Sequence, residues 1–313
     1  MEEEANNKTT NQEIGMFDLL KEIEGPEDSE LYNSIKNITI KTIKHIESLY
    51  KNKENDPNYI DTDFSPLRFH RGDLIILAAR PSIGKTAFAL TLGNQIALNK
   101  NIPVGYISLG YSDDYFDDFF LGARFISINS DVPVQKIRHG MLKPSDIPKI
   151  QEAAKNLFDA SIYLMNEPNS SFETLEWKTK ILIEERKVQI IFINGFELFE
   201  ELVDSEKDEY RINLESILGK LKKFAIEQHI PVIVELELPP AEEDNEPSLR
   251  DFKKYMIIPY LADMVLLLHR DRLREDDEKQ DCKLKIVKNI NSWAGDIPMI
   301  FNHKTSKFER YHN

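Results

Sequence analysis

The segment that most restricts the fold is Leu74-Ile75-Ile76-Leu77-Ala78-Ala79, an unbroken apolar run. It passes directly into Arg80-Pro81-Ser82-Ile83-Gly84-Lys85-Thr86 and then into a helical apolar pattern. A strand that is apolar on both faces must be covered on both, as in a parallel sheet flanked by helices. The rest of the chain repeats this theme. Short apolar runs at 104–109, 162–165, 188–193, 232–236 and 264–268 alternate with amphipathic stretches near 86–98, 114–128, 145–158, 171–186 and 211–228. The alternation predicts an α/β fold with a mostly parallel sheet and helices on both faces. Segments 283–288 and 297–301 read as strands added at the end, and the acidic stretches 200–209, 242–246 and 275–281 read as loops.

Upstream of this region, Leu31, Ile35, Ile38, Ile43, Ile46 and Leu49 recur at helical spacing. They predict one amphipathic helix over 28–51, whose narrow stripe must be buried on its own domain or on a neighbouring subunit. Residues 51–68, rich in Asn, Asp and Pro, read as a linker. The chain is thus expected to divide into a helical arm and linker over 1–60 and an α/β domain over 61–313.

Strand, loop, Gly-Lys-Thr and helix in that order form the context of a phosphate-binding loop. Loop N–H groups and the helix N-terminus face the phosphates. Lys85 reaches the terminal phosphates, and the Thr86 hydroxyl is the expected ligand of a magnesium ion. The candidate nucleotide-binding residues are Arg80, Pro81, Ser82, Ile83, Gly84, Lys85, Thr86 and Ala87. Ala79 stands where the general pattern has its first glycine.

Composition narrows the alternatives. With 41% hydrophobic and 30% charged residues, the chain can bury a core and is not a disordered polymer. Forty basic and 54 acidic residues give a net charge of −14, which argues against a surface that coats nucleic acid but not against a local site. A single cysteine, Cys282, excludes an internal disulfide and a Cys-rich zinc site. No apolar run is long enough to span a bilayer. The start Met1-Glu2-Glu3-Glu4 is the opposite of a basic signal sequence, so a soluble cytoplasmic protein is expected.

Residues 72–89, with Ala78-Ala79-Arg80-Pro81-Ser82 ahead of Gly84-Lys85-Thr86, resemble the Walker A region of DnaB-type replicative DNA helicases, in which Ala79 is a family mark. Ser108-Leu109, the run 190–198 in the place of Walker B, Ala262-Asp263, Arg270-Asp271 and the closing segment from Lys288 to Phe301-Asn302 match in order and spacing. The resemblance covers about residues 61–309. It implies a RecA-like ATPase domain that binds ATP and Mg²⁺, assembles as an oligomer and holds single-stranded DNA in a channel. The helix at 28–51 takes the place of the family's linker helix, which docks on an adjacent subunit. The family's separate N-terminal helical domain has no counterpart in this sequence, which therefore reads as a truncated relative.

The departures from the family are as informative as the matches. Gly110 stands where the family has the glutamate that activates water, and Asn194 where it has the aspartate that holds Mg²⁺. Glu237 replaces a glutamine that senses the γ-phosphate, and Ile290 replaces the arginine finger, with Lys288 on the accompanying lysine. An arginine finger is worth about 10³–10⁵ in rate and a positioned general base about 10²–10⁴. The resemblance therefore implies that ATP binds and is hydrolysed slowly or not at all, with no intact catalytic residue. Asn194 can still hydrogen-bond a magnesium-bound water, so Thr86 and Asn194 are the candidate metal-binding residues. Asp113 and Asp114 are expected to cap a helix.

In the segment that carries DNA contacts in the family, Leu249-Arg250-Asp251-Phe252-Lys253 leaves Arg250 and Lys253 as candidates. Glu242, Glu243, Asp244 and Glu246 oppose them, and Pro239-Pro240 removes two donors, so the segment reads as a solvated charged loop. The expected role is an ATP-binding homo-oligomer, or a co-assembly with a helicase-like subunit, in replication. A working helicase and a non-enzymatic assembly module with a vestigial loop are the alternatives.

Overall fold

Every residue of the apolar run Leu74–Ala79 is buried, and a nine-stranded sheet is organised about it. The computed structural model describes residues 34–51, 56–110, 115–168, 170–203, 206–240, 245–270 and 278–311. The chain forms two units, 1–59 and 60–313. The first contributes helix α1 (Ile35–Lys51). Of its predicted stripe, Ile35, Ile38 and Ile46 are exposed. Residues 28–33 and the side chain of Leu49 lie outside the described residues.

The order that follows is β1 (Tyr59–Asp61), β2 (Arg68–His70), β3 (Leu74–Ala79), α2 (Lys85–Asn99), β4 (Val104–Ser108), α3 (Tyr115–Ser130), α4 (Val134–His139), α5 (Ile147–Phe158), β5 (Ile162–Asn166), α6 (Phe172–Arg186) and β6 (Ile190–Asn194). After a 3₁₀ turn, Phe196–Leu198, come α7 (Glu200–Val203), α8 (Lys207–Gln228) and β7 (Val232–Glu237). A second 3₁₀ segment, Leu249–Tyr255, leads to α9 (Ile257–Leu261), β8 (Met264–Arg270), β9 (Lys279–Asn289), β10 (Gly295–Asn302) and β11 (Lys307–Arg310).

The large sheet runs β11-β10-β9-β8-β3-β7-β6-β4-β5. Its six strands from β8 to β5 are parallel, whereas β9, β10 and β11 add on antiparallel. Alternation along β3 splits the core into two layers. Ile75 and Leu77 pack with Phe88, Leu92, Ile96 and Phe125 of α2 and α3. Leu74, Ile76 and Ala78 pack with Leu175 of α6 and with Leu214, Leu218 and Leu221 of α8. Each such side chain contributes about 1.5–3 kcal/mol when fully buried. The α/β reading with helices on both faces holds.

Two sequence expectations need correction. The stretch 51–68 is not simply a linker, because Ile60, Phe64 and Leu67 are at most 1% exposed. Phe64 packs its ring 5.4 Å from that of Phe88. Its apolar residues are too sparse for a periodic signal, and their burial comes from packing on α2. The acidic stretch 200–209, read as a loop, contains α7 and the first residues of α8. No helix among the described residues is long and apolar enough to cross a membrane.

Candidate functional site

Parallel strands leave a crevice beyond their carboxyl ends, and ligands of open α/β sheets bind there. Beyond β3 the chain makes a tight loop in which Ile83 N–H donates to Arg80 O at 3.4 Å. Ser82 and Gly84 take positive φ, 62° and 107°. At Gly84 this left-handed backbone is natural for glycine, and a Cβ there would also meet the Phe308 ring at 3.4 Å. Gly84 precedes α2, so Lys85 and Thr86 supply helix-start N–H groups that have no carbonyl one turn back. No acidic side chain occupies the first turn of α2, which leaves its positive end open to an anion.

Arg270, at the end of β8, holds this loop from behind. Its Nε and one terminal nitrogen donate to Ile83 O and Ser82 O, both at 2.7 Å. The other terminal nitrogen donates to Gln280 Oε1 at 3.0 Å, and the guanidinium lies 4.6 Å from the centre of the Phe301 ring. Tying the two carbonyls back turns the loop N–H groups toward the crevice. Arg80 points elsewhere: it donates to Asn245 O and pairs with Asp251 Oδ1 at 3.4 Å. Pro81 and Ser82 are exposed, whereas Ala87 is buried in the core layer under α2.

Carboxylates crowd the front of the loop. Lys85 Nζ lies 3.2 Å from Glu237 Oε2. The Glu237 N–H donates to Glu197 Oε1 at 2.8 Å. Glu235, two residues earlier on β7, is 1% exposed. It accepts from Thr86 Oγ1 at 2.9 Å, from Asn194 Nδ2 at 2.9 Å and from the Tyr106 hydroxyl at 2.6 Å. Burial pushes the Glu235 carboxyl above the usual carboxylate range, against the pull of the hydrogen bonds from Tyr106, Asn194 and Thr86 and of the Lys85 charge. Burial likewise raises Glu197. A cavity of about 390 Å³ opens beside Thr86, Tyr106, Asn194, Arg124 and Arg138. Ser108 Oγ lines it with no hydrogen-bond partner among the described residues.

These groups suit a magnesium–nucleotide. Helix-start N–H donors and Lys85 match phosphate oxygens, and the hard oxygens Thr86 Oγ1 and Glu235 Oε2 match Mg²⁺. Sequence reasoning missed Glu235, Tyr106 and Glu197. For Glu235 a signal was present: a carboxylate within a run otherwise apolar on both faces is costly unless it has partners.

The remaining candidates are distributed as follows. Asn194 ends β6 and donates to both Glu235 and, at 3.1 Å, Thr86 Oγ1. Gly110 lies just beyond β4, where a Cβ would meet only Leu198, at 3.4 Å, so a Cβ is not sterically barred there. Ile290 is 60% exposed. Lys288 turns inward and caps the carbonyls of Pro259 and Tyr260, at 2.9 and 3.1 Å, and that of Ala262. Asp263 sits at the opposite end of β3 from the loop, accepting from Leu74 N at 2.7 Å and pairing with Lys222. Arg250 is exposed on the 3₁₀ segment, and the side chain of Lys253 lies outside the described residues, as do Asp113, Asp114 and residues 241–244. Glu246 is taken up by Lys283 and Lys285, each at 2.7 Å.

Residues 58–310 match the family model described as the DnaB-like helicase C terminal domain. The chain is 30% identical over 282 residues to the replicative DNA helicase DnaB of Treponema pallidum (strain Nichols), covering 88% of this chain and 61% of that protein. It is 29% identical over 299 residues to the DnaB of Geobacillus stearothermophilus, covering 92% and 64%. The chain thus spans less than two thirds of the length of these relatives. Among solved structures, one described as an ATPase domain superposes with a TM-score of 0.70 at 21% identity over 86% of this chain and 98% of that one. A DnaB-like replicative helicase, described with its primase interactions, gives 0.73 at 22% identity over 92% and 69%. At these identities the structural likeness speaks for the fold, and the family match speaks for descent: this chain belongs to the DnaB-like helicase C-terminal domain family.

Proposed function

We propose that this chain binds ATP with Mg²⁺ at the 80–87 loop, hydrolyses it slowly or not at all, and uses it as a switching ligand. It does so within a homo-oligomer or a co-assembly with a helicase-like subunit, in cytoplasmic DNA replication. One contrast carries the reading: the loop has its left-handed Gly84, its Lys85 and its Thr86 at the start of α2, while Gly110 and Ile290 replace the water-activating and finger residues.

When bound, Mg²⁺ supplies positive charge against the phosphate oxygens. Lys85 adds a second cation there, and Arg270 keeps the loop donors aimed inward. Gly110 offers no carboxylate to take a proton from water. Ile290, exposed where a finger would leave its own domain, offers no guanidinium to a neighbour. Either loss alone costs about 10²–10⁵ in rate. The exposed Ile35, Ile38 and Ile46 of α1 support a subunit contact by that helix. A primase-type partner is part of the same reading, prompted by the solved helicase described with its primase interactions. For single-stranded DNA the support is thin: Arg250 is exposed, but its neighbour Asp251 is held by Arg80.

The second reading, a working DNA translocase, draws support from family membership and from Glu235, a carboxylate beside Thr86. Thermal melting with and without Mg-ATP, run beside a steady-state ATPase assay, separates the possibilities. The expected result is a rise in melting temperature that Lys85→Ala abolishes, with turnover far below about one per second. DNA-stimulated turnover near that rate would overturn slow hydrolysis. No nucleotide shift in the unmodified chain would overturn nucleotide binding and leave the assembly-module reading.

A further inference from the structure

Strand register sets Glu235 beside the residue that ends β6. Ile193 of β6 pairs with Val234 of β7, so the residues that follow, Asn194 and Glu235, come side by side. Leu77 of β3 pairs with Glu235 on its other flank, which places the carboxylate beneath the start of α2. Because alternation puts Glu235 on the same face as Ile233, its side chain lies in the layer that carries α2.

The three polar groups form a closed triangle. Thr86 Oγ1 to Glu235 Oε2 is 2.9 Å, Asn194 Nδ2 to Glu235 Oε2 is 2.9 Å, and Asn194 Nδ2 to Thr86 Oγ1 is 3.1 Å. The second carboxylate oxygen is fixed by the Tyr106 hydroxyl at 2.6 Å, which orients the group as outer-shell partners orient a metal ligand. An aspartate at 194 would set a second carboxylate against Glu235, and like charges that close resist joint ionisation. An asparagine instead donates to it. The two positions therefore make sense together, one having lost a charge that the other carries.

We propose that Glu235 is the carboxylate that holds nucleotide-bound Mg²⁺ in this chain, having taken over that task from position 194. The Thr86 hydroxyl can offer a lone pair to the cation while its O–H donates to Glu235 Oε2. Asn194 acts as a positioning residue that aims the carboxylate. Ser108 Oγ, on a residue 6% exposed and without a hydrogen-bond partner among the described residues, lines the same cavity as Thr86 and Asn194. It is available to a cation-bound water. The proposal rests on the nucleotide-binding reading above.

The test is calorimetric titration of the full chain with ADP, in Mg²⁺ and in EDTA. Unmodified protein should bind more tightly in Mg²⁺. Glu235→Gln should keep the EDTA affinity and lose the magnesium gain, about 10–100-fold by analogy with disrupted metal sites. The double variant Asn194→Asp with Glu235→Leu returns the carboxylate to β6 and should recover the gain. Retention of the gain by Glu235→Gln, or ADP binding by the unmodified chain that is indifferent to Mg²⁺, would overturn the proposal alone. Absence of ADP binding in either buffer would overturn the nucleotide reading and this one with it. Should Glu235→Gln not fold, the double variant decides: recovery supports a relocated carboxylate, and a folded double variant without the gain overturns it.

Discussion

Lys85 Nζ and Glu237 Oε2 lie 3.2 Å apart, so the cation proposed to meet the nucleotide phosphates is already engaged by a carboxylate of the chain itself. The lysine side chain is 13% exposed and the glutamate 55%. Such a half-exposed pair is worth at most about 1 kcal/mol. A nucleotide must nevertheless displace Glu237 before Lys85 can serve it.

Glu237→Gln should therefore bind nucleotide more tightly, by about two- to fivefold, with the gain shrinking as salt is raised. Equilibrium titration with a fluorescent nucleotide at low and high ionic strength checks this. Weaker binding by the variant would mean that Glu237 contacts the ligand favourably and does not compete with it.

Arg270 makes a second prediction. Its fork reaches Ser82 O and Ile83 O at 2.7 Å each and Gln280 Oε1 at 3.0 Å. A lysine is a point charge and cannot span these acceptors together. Arg270→Lys should lower nucleotide affinity about tenfold, in keeping with about 1.5–3 kcal/mol for a charged hydrogen bond. It should also speed amide exchange in residues 82–86. Unchanged exchange and affinity would show that the loop holds its shape without the clamp.

The Glu246 pair makes a prediction about pH. Hydrogen bonds from Lys283 and Lys285 hold its carboxyl down to about 2, against an ordinary value of 4.5. The folded value lies below the unfolded one, so the stability it contributes is present above about 4.5 and is lost as pH falls toward 2. The side chain is 40% exposed, so the effect is small. The melting-temperature difference between the unmodified chain and Glu246→Gln should shrink between pH 5 and pH 2, and should be reduced at neutral pH by about 1 M salt. A difference independent of both conditions would remove the ion pairs as its cause. Glu235 and Glu197 act in the opposite sense. Burial raises both, so without nucleotide the fold loses stability as pH climbs from the unfolded carboxylate range through their raised values.

The elements that read directly from the chain were those whose pattern is local. Leu74–Ala79 is apolar on both faces and had to be a central strand. The helical stretch 86–98 differs from α2 by one residue at each end. Cys282, Leu284 and Ile286 alternate along β9 as their spacing requires. What escaped detection had its cause far away in the chain. Phe308 of the four-residue β11 is buried because Phe88 and Phe301 lie 5.3 and 4.5 Å from it. Neither neighbour is implied by the residues around 308. Arg80 belongs to the loop by sequence, yet its guanidinium serves Asn245 and Asp251.

By itself the amino-acid order determined the α/β class and the strand–loop–helix context of Lys85 and Thr86, and it set Gly110, Asn194 and Ile290 at the positions on which the proposed slow hydrolysis rests. Each of these follows from short-range periodicity or from identity at a single position. Only the tertiary structure decided what surrounds the loop. Glu235 meets Tyr106, Thr86 and Asn194 across separations of 129, 149 and 41 residues. Those meetings are set by which strands pair and in what register, and a one-residue slip would turn Glu235 to the other face of the sheet. The surroundings of Asn194 are therefore completed by Glu235, because a sheet makes neighbours of residues that the chain keeps apart.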